Sequence, residues 1–225
     1  MIRRNGYRLL VIVALLALIA LLWRWGGPAN PVDVATIRSL QVFRQNNPTL
    51  TAAAIAVTQM GSAYATVGLA LLVAASLLIL RQSSRAGLLA ATVIGARLLG
   101  DLFKDVTNRP RPAFDLHPMV VTHSSSFPSG HASNSMAAFL ALALFAAPPR
   151  WRRPALGVAI VASIAVGLTR PMLGVHWPSD VLAGWAFGAA IILAVTSIPL
   201  ARRLLLAPQQ QHQIVGGHGA TLDQH

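Results

Sequence analysis

The chain contains no cysteine and no glutamate, and its 18 basic residues include a single lysine. The lack of cysteine excludes disulfides, zinc–thiolate centres and a cysteine nucleophile. The six acidic residues are all aspartates scattered along 225 positions, so no acidic cluster stands ready for a divalent ion. Neither a metal nor another cofactor is expected. Charge is scarce altogether: 11% of residues are charged, against about 25% in a soluble domain. What fills the chain instead is apolar, with 55% hydrophobic residues and a mean hydropathy of +0.59. These values point to an all-α membrane domain.

A helical span needs about 20 largely apolar residues. Six candidate spans follow: Leu9 to Trp23, Ala63 to Leu80, Gly87 to Phe103, Ala132 to Ala147, Leu156 to Leu168 and Val181 to Leu200. Met1-Ile2-Arg3-Arg4 before the first run resembles a signal peptide. No small-residue cleavage site follows, and Trp23-Arg24-Trp25 suits an interface anchor, so the run reads as a retained span. In the long link from Gly26 to Gly61, residues 41–44 and 50–60 read as short interfacial helices separated by Asn46-Asn47-Pro48, with a re-entrant segment over residues 50–60 as the alternative. There is no internal repeat. Residues 1–206 form one transmembrane domain, and residues 207–225, rich in Gln, Gly and His, are expected to be a disordered polar tail. Its His212, His218 and His225 read as solvated side chains.

The formal net charge is +12. Its carriers are arginines at short intervals between apolar runs, not a lysine-rich arm or an aromatic-interleaved patch, so nucleic acid is not an expected partner. Such arginines report topology. Arg3, Arg4, Arg8, Arg81, Arg85, Arg150, Arg152, Arg153, Arg202 and Arg203 fall on one set of span ends, which assigns both termini to the cytoplasm. The loops after the first, third and fifth spans then face outward. Arg97 and Asp101, one turn apart in the third span, read as an i,i+4 ion pair behind the outward site.

Three polar segments interrupt the apolar pattern and emerge on that outer side: Lys104 to Pro112, Ser124 to His131 and Thr169 to Asp180. Pooled, they offer the cations Lys104, Arg111 and Arg170, the imidazoles His131 and His176, and Asp180 and Ser129. Cations clamp a phosphoryl group, arginine in bidentate fashion. Imidazole serves as nucleophile or proton donor near neutral pH. A carboxylate four residues after His176 can fix its tautomer. Pro128-Ser129-Gly130 suits a helix start whose free N–H groups face an anion.

These residues resemble the type-2 phosphatidic acid phosphatase superfamily, whose motifs are K-x6-R-P, P-S-G-H and S-R-x5-H-x3-D. Lys104 with Arg111-Pro112, Pro128 to His131, and Arg170, His176 and Asp180 match them, with Thr169 where the family has serine. The motifs cover residues 104–180. The resemblance implies a six-span bundle with its active site at the outer ends of spans three to six. It implies that His176 attacks phosphorus, that Asp180 orients His176, and that His131 protonates the leaving oxygen and then helps to activate water. Lys104, Arg111 and Arg170 would neutralise the phosphoryl oxygens, with Ser129 and the Gly130 N–H adding hydrogen bonds. Arg109 and Thr169 are possible further contacts. His117 and His123 read as surface residues, and Trp177 as an interface anchor, with the lining of a lipid entrance as its alternative. The implied activity is hydrolysis of a membrane lipid phosphate or pyrophosphate, such as undecaprenyl pyrophosphate, phosphatidic acid or phosphatidylglycerophosphate, by an integral protein of the bacterial inner membrane with its site facing outward. Transfer of the phosphoryl group to a lipid or sugar acceptor is the alternative, followed by a catalytically silent lipid-binding role. Related vanadium haloperoxidases share the motifs but are soluble. Oligomeric state stays open.

Overall fold

The computed structural model describes residues 2–114 and 124–206, and these form helices joined by short turns, with no strand among them. The elements are α1 (Ile2–Trp25), α2 (Pro31–Asn46), α3 (Pro48–Gln59), α4 (Ala63–Ile79), α5 (Ser83–Thr107), α6 (Gly130–Phe145), α7 (Pro149–Met172), α8 (Pro178–Val195) and α9 (Pro199–Leu206). The expected polar tail lies outside the described residues, as do His117 and His123.

Helix α6 is the central post. It packs against α4, α5, α7 and α8, while α1 leans on α8, and α2 and α3 lean on α7. Small residues make this possible: Ala132, Ser133, Asn134 and Ser135 are all buried. On the facing side of α8, a Cβ added at Gly184 would lie 2.7 Å from the Ser129 carbonyl oxygen, and one at Gly188 2.8 Å from Met136 Cβ. The two glycines, one turn apart, let the backbones approach as small residues do between membrane helices.

Helices α1 (over residues 6–25), α5, α7 and α8 are each long and apolar enough to cross a membrane, and α3 with α4 passes as a pair bent by 44°. Four single helices and one bent pair thus account for five of the six expected spans. The remaining run, α6, has 16 residues, or about 24 Å at 1.5 Å per residue, short of a hydrocarbon core of about 30 Å. Most of its residues are buried against the neighbouring helices. Two boundaries also differ from the sequence reading. The last run does not reach Leu200 unbroken; α8 stops at Val195 and α9 restarts at Pro199. Helix α7 continues past Leu168 to Met172, with Pro154 and Pro171 inside it, so Thr169 and Arg170 sit in a helical turn.

The long link orders as two helices separated at Asn47, as the Asn-Asn-Pro signal indicates. Asn30 caps α2, its side chain accepting from the Val32 and Asp33 N–H groups, with Pro31 in the first turn; this is the ordinary chemistry of a helix start. Arg44 at the end of α2 donates to the Met172 carbonyl at 2.8 Å, tying the link to the end of α7. At the opposite end of the bundle, Arg8 donates to the Thr196 carbonyl at 2.8 Å and Arg152 to that of Leu205 at 2.9 Å.

Candidate active site

The three polar segments converge. Lys104 lies in the last turn of α5, Gly130 and His131 open α6, and Arg170 lies in the last turn of α7. Gly174, at φ +71°, ends the α7 turn in the left-handed region that glycine adopts freely. The chain then runs through His176 to α8, where Asp180 lies in the first turn.

His176 is 2% exposed and both ring nitrogens face named groups. Nε2 stands 3.1 Å from Arg111 Nη1. A guanidinium can only donate, so Nε2 is the acceptor there and its lone pair points to the cations. Nδ1 then carries the proton and faces Asp180 Oδ2 at 3.6 Å and Ser126 Oγ at 3.4 Å. Burial, and then the charges of Arg111, Arg170 and Lys104, hold the His176 pKa well below its ordinary value. The ring is therefore a neutral base with an oriented lone pair.

Asp180 is fully buried and almost saturated. Its Oδ2 accepts from the Ser126 hydroxyl and, at 2.9 Å, from the Trp177 N–H. Its Oδ1 accepts from Arg109 Nη1 at 2.8 Å. Arg109 also donates through Nη2 to the Leu22 and Trp23 carbonyls and stacks 4.4 Å from the Phe127 ring centroid. Its guanidinium thus joins the end of α1 to Asp180 and has its donors directed into the protein.

Arg111 is held by the carbonyls of Ser124 and Val175, at 3.0 and 2.8 Å. Burial lowers its pKa, with the Asp180 charge opposing. Lys104 packs over the start of α6: a Cβ at Gly130 would lie 3.1 Å from Lys104 Nζ. The charges of Arg170, Lys104 and Arg111 act on both His131 and His176, which gathers the two imidazoles and three cations into one field. Two buried polar atoms there have no hydrogen-bond partner, Ser129 Oγ and Arg170 Nε. Unsatisfied buried donors are costly, and beside a helix N-terminus they suit an anion with several acceptor oxygens.

Thr169 does not join them; its hydroxyl donates back to the Val166 carbonyl within α7. Trp177 is not an interface anchor. It is 2% exposed and its indole N–H donates to the Pro110 carbonyl at 2.9 Å, so it packs the first and third segments together. Arg97 and Asp101 form the i,i+4 pair at 2.9 Å, beside Lys104 and Gly130.

Sequence reasoning missed three side chains. Ser126 lies inside the second polar segment, where nothing sets it apart from Ser124 and Ser125. Asp33, buried in the first turn of α2, accepts from the Gly27 N–H at 2.6 Å and from both the N–H (3.1 Å) and hydroxyl of Ser179, holding the start of α8. Its signal was a carboxylate just after the Asn30-Pro31 helix start. Thr58 meets Arg170 and carried no local signal. Among the described residues, no group of three or more His or Asp side chains comes together to hold a metal ion.

A buried imidazole backed by a carboxylate and facing cations at the ends of apolar helices is a site suited to gripping and attacking a phosphoryl group, which puts the chain in the class of membrane phosphatases. The profile of the PAP2 superfamily matches residues 85–204, and the chain belongs to that superfamily. It is 30% identical over 169 residues to phosphatidylglycerophosphatase B of Bacillus subtilis, covering 72% of this chain and 81% of the relative. It is 43% identical over 125 residues to lipid A 1-phosphatase of Rhizobium johnstonii, covering 51% of this chain and 48% of that one. Against undecaprenyl-diphosphatase of Sulfolobus acidocaldarius it is 32% identical over 124 residues, covering 53% and 58%. The chain thus spans about half the length of the lipid A and undecaprenyl relatives. The crystal structure of a transmembrane PAP2-type phosphatidylglycerolphosphate phosphatase from Bacillus subtilis superposes with a TM-score of 0.74 at 26% identity, covering 84% of this chain and 94% of that one. With the apolar helices, this likeness makes the chain an integral membrane protein.

Proposed function

We propose that this protein hydrolyses the terminal phosphate of a membrane lipid phosphate or pyrophosphate through a phosphohistidine on His176. The observation that carries the reading is the oriented, neutral imidazole: Nε2 faces Arg111 at 3.1 Å while Nδ1 faces Asp180 at 3.6 Å. In the first step the Nε2 lone pair forms a bond to phosphorus as the P–O bond to the lipid breaks. His131, charged once the negative oxygens of the substrate offset the surrounding cations, gives its proton to the leaving oxygen. The phosphorylated ring keeps its Nδ1 proton and is cationic, and the Asp180 carboxylate balances that charge. In the second step water attacks phosphorus, the P–N bond breaks, and the water proton passes to His131. Lys104, Arg111 and Arg170 spread the charge on the equatorial oxygens, with Ser129 Oγ and the Gly130 N–H as further donors. Positioning and electrostatics supply most of the rate in such transfers.

Six spans place both termini in the cytoplasm, with α6 as the short fourth span and the site at the outer surface. The arginines at the ends opposite the site support that orientation. A bilayer-embedded site accepts substrates sideways, so the substrate is a lipid whose phosphate lies at the head-group level. Undecaprenyl pyrophosphate, phosphatidic acid and phosphatidylglycerophosphate are candidates of that kind, and the lipid A of the Rhizobium relative's name is another.

The test is phosphate release from these lipids, each in detergent micelles, beside a soluble aryl phosphate. The expected result is release from at least one lipid well above the soluble ester. Retained lipid binding with no release from any of them overturns the reading. Label passing to an added lipid or sugar alcohol instead of water assigns a phosphotransferase.

A further inference from the structure

Thr58 lies in α3, more than 40 residues before the first of the three motif segments. Its side chain is nonetheless part of the cation clamp. Arg170 Nη1 donates to Thr58 Oγ1 at 2.7 Å, and the two residues are 2% and 3% exposed. The acceptor is a neutral hydroxyl, so it fixes the direction of the guanidinium without cancelling its charge. A carboxylate there would do both.

The bond also selects an edge. A guanidinium offers a phosphoryl group two parallel N–H bonds from Nε and Nη2, on the side away from Nη1. With Nη1 held by Thr58, that edge is left for the ligand. Nε, buried and without a partner, belongs to it. The position of Thr58 is fixed independently by the close approach at the end of α3. A Cβ at Gly61 would lie 2.4 Å from Val166 Cγ1, 3.0 Å from the His131 carbonyl oxygen and 3.3 Å from His131 Cβ. The break between α3 and α4 therefore presses this turn against both α7 and the start of α6.

We propose that Thr58 is a positioning residue that turns Arg170 so that its Nε–Nη2 edge faces the phosphoryl group. The proposal rests on the function put forward above. It concerns a residue outside the matched motifs and makes the bent α3–α4 pair a wall of the site.

The test compares Thr58→Val, which keeps the shape and removes the hydroxyl, with Thr58→Ser, which keeps the hydroxyl. Three quantities are read: kcat/KM on the lipid substrate, inhibition by vanadate, and the melting temperature in detergent. Thr58→Val is expected to lower kcat/KM about ten- to a hundredfold and to weaken vanadate by a similar factor. Thr58→Ser is expected to stay within about threefold of the parent. In an Arg170→Lys background the Val substitution is expected to cost nothing further, because the edge it selects is gone. Parental kcat/KM and vanadate inhibition in Thr58→Val overturn the proposal, as does a Val loss that adds in full to Arg170→Lys. If Thr58→Val does not fold, Thr58→Ala carries the same expectations. A parent that binds vanadate but releases no phosphate sinks the functional reading alone. Vanadate affinity then decides Thr58: weakened by Val and kept by Ser supports it, and equal in all three overturns it.

Discussion

Arg109 Nη1 donates to Asp180 Oδ1 at 2.8 Å, with side-chain exposures of 5% and 0%. The same guanidinium reaches Ser179 Oγ at 3.2 Å and the α1 carbonyls of Leu22 and Trp23. Arg109→Ala leaves a buried carboxylate without its cation and frees the end of α1. Breaking a buried pair from one side costs about 3–5 kcal/mol. The expected result is a large fall in melting temperature in detergent, with activity lost in proportion to unfolded protein and to misplacement of His176. Arg109→Lys keeps the charge but cannot serve Asp180 and two carbonyls together, so it should fall between. A melting curve unchanged in Arg109→Ala would show that this network carries little stability.

His176→Ala removes the proposed nucleophile from a site whose walls are otherwise intact. Turnover is expected to fall about a thousandfold or more, with the melting temperature near that of the parent. Brief reaction with labelled lipid phosphate, then acid and alkaline quenching, should give an acid-labile, alkali-stable protein label in the parent and none in His176→Ala. Label at another residue, or parental turnover in the variant, would remove His176 from the chemistry.

Much of this was legible in the sequence because it rests on local signals. The helix start at Ser129-Gly130, the i,i+4 spacings of Arg97–Asp101 and His176–Asp180, and the break at Asn47-Pro48 are written within a few residues of one another. What was not legible depends on tertiary neighbours. Trp177 looked like an interface anchor because its amphipathic ring suits one; the Pro110 carbonyl that takes its N–H lies 67 positions away. Thr58 and Arg170 are 112 positions apart, and no period links them. The 16 residues of α6 pack against four helices, which an apolar run alone does not tell from a lipid-facing span. Arg109 adjoins a motif, which suggests a substrate contact; its partners on α1 and α8 decide where it points.

Gly184 offers a test of how closely α6 and α8 must meet. A Cβ there would lie 2.7 Å from the Ser129 carbonyl oxygen and 2.9 Å from Ala132 Cβ. Backbone at a helix start cannot swing away as a flexible side chain can. Gly184→Ala is therefore expected to destabilise the protein by about 1–3 kcal/mol and to displace Ser129 and Gly130 from the phosphoryl site. Melting in detergent reads the first effect and KM the second. At Gly157, where a Cβ meets nothing within 4 Å, the same substitution should leave both unchanged. Equal behaviour of the two variants would mean that the helices slide apart at no cost.

The depressed pKa of His176 gives activity and stability a common dependence on pH. Burial comes first among its causes, then the charges of Arg111, Arg170 and Lys104. The nucleophile must be neutral, so protonation of His176 should not cut kcat/KM as pH falls through the ordinary histidine range near 6.5. Its acid limb should appear lower. Arg111→Gln removes the largest of the lowering charges, and the limb is expected to move up in pH whatever happens to the maximal rate. The sign for stability follows from proton counting. Below about pH 6.5 the unfolded chain protonates this imidazole while the folded chain does not, so the unfolded state binds more protons and stability falls with falling pH. The contribution is full above that pH and is lost as pH drops towards the folded value. His176→Asn, which does not titrate, should flatten the corresponding part of the melting-temperature profile. An acid limb that stays in place in Arg111→Gln would mean that a group other than His176 sets it.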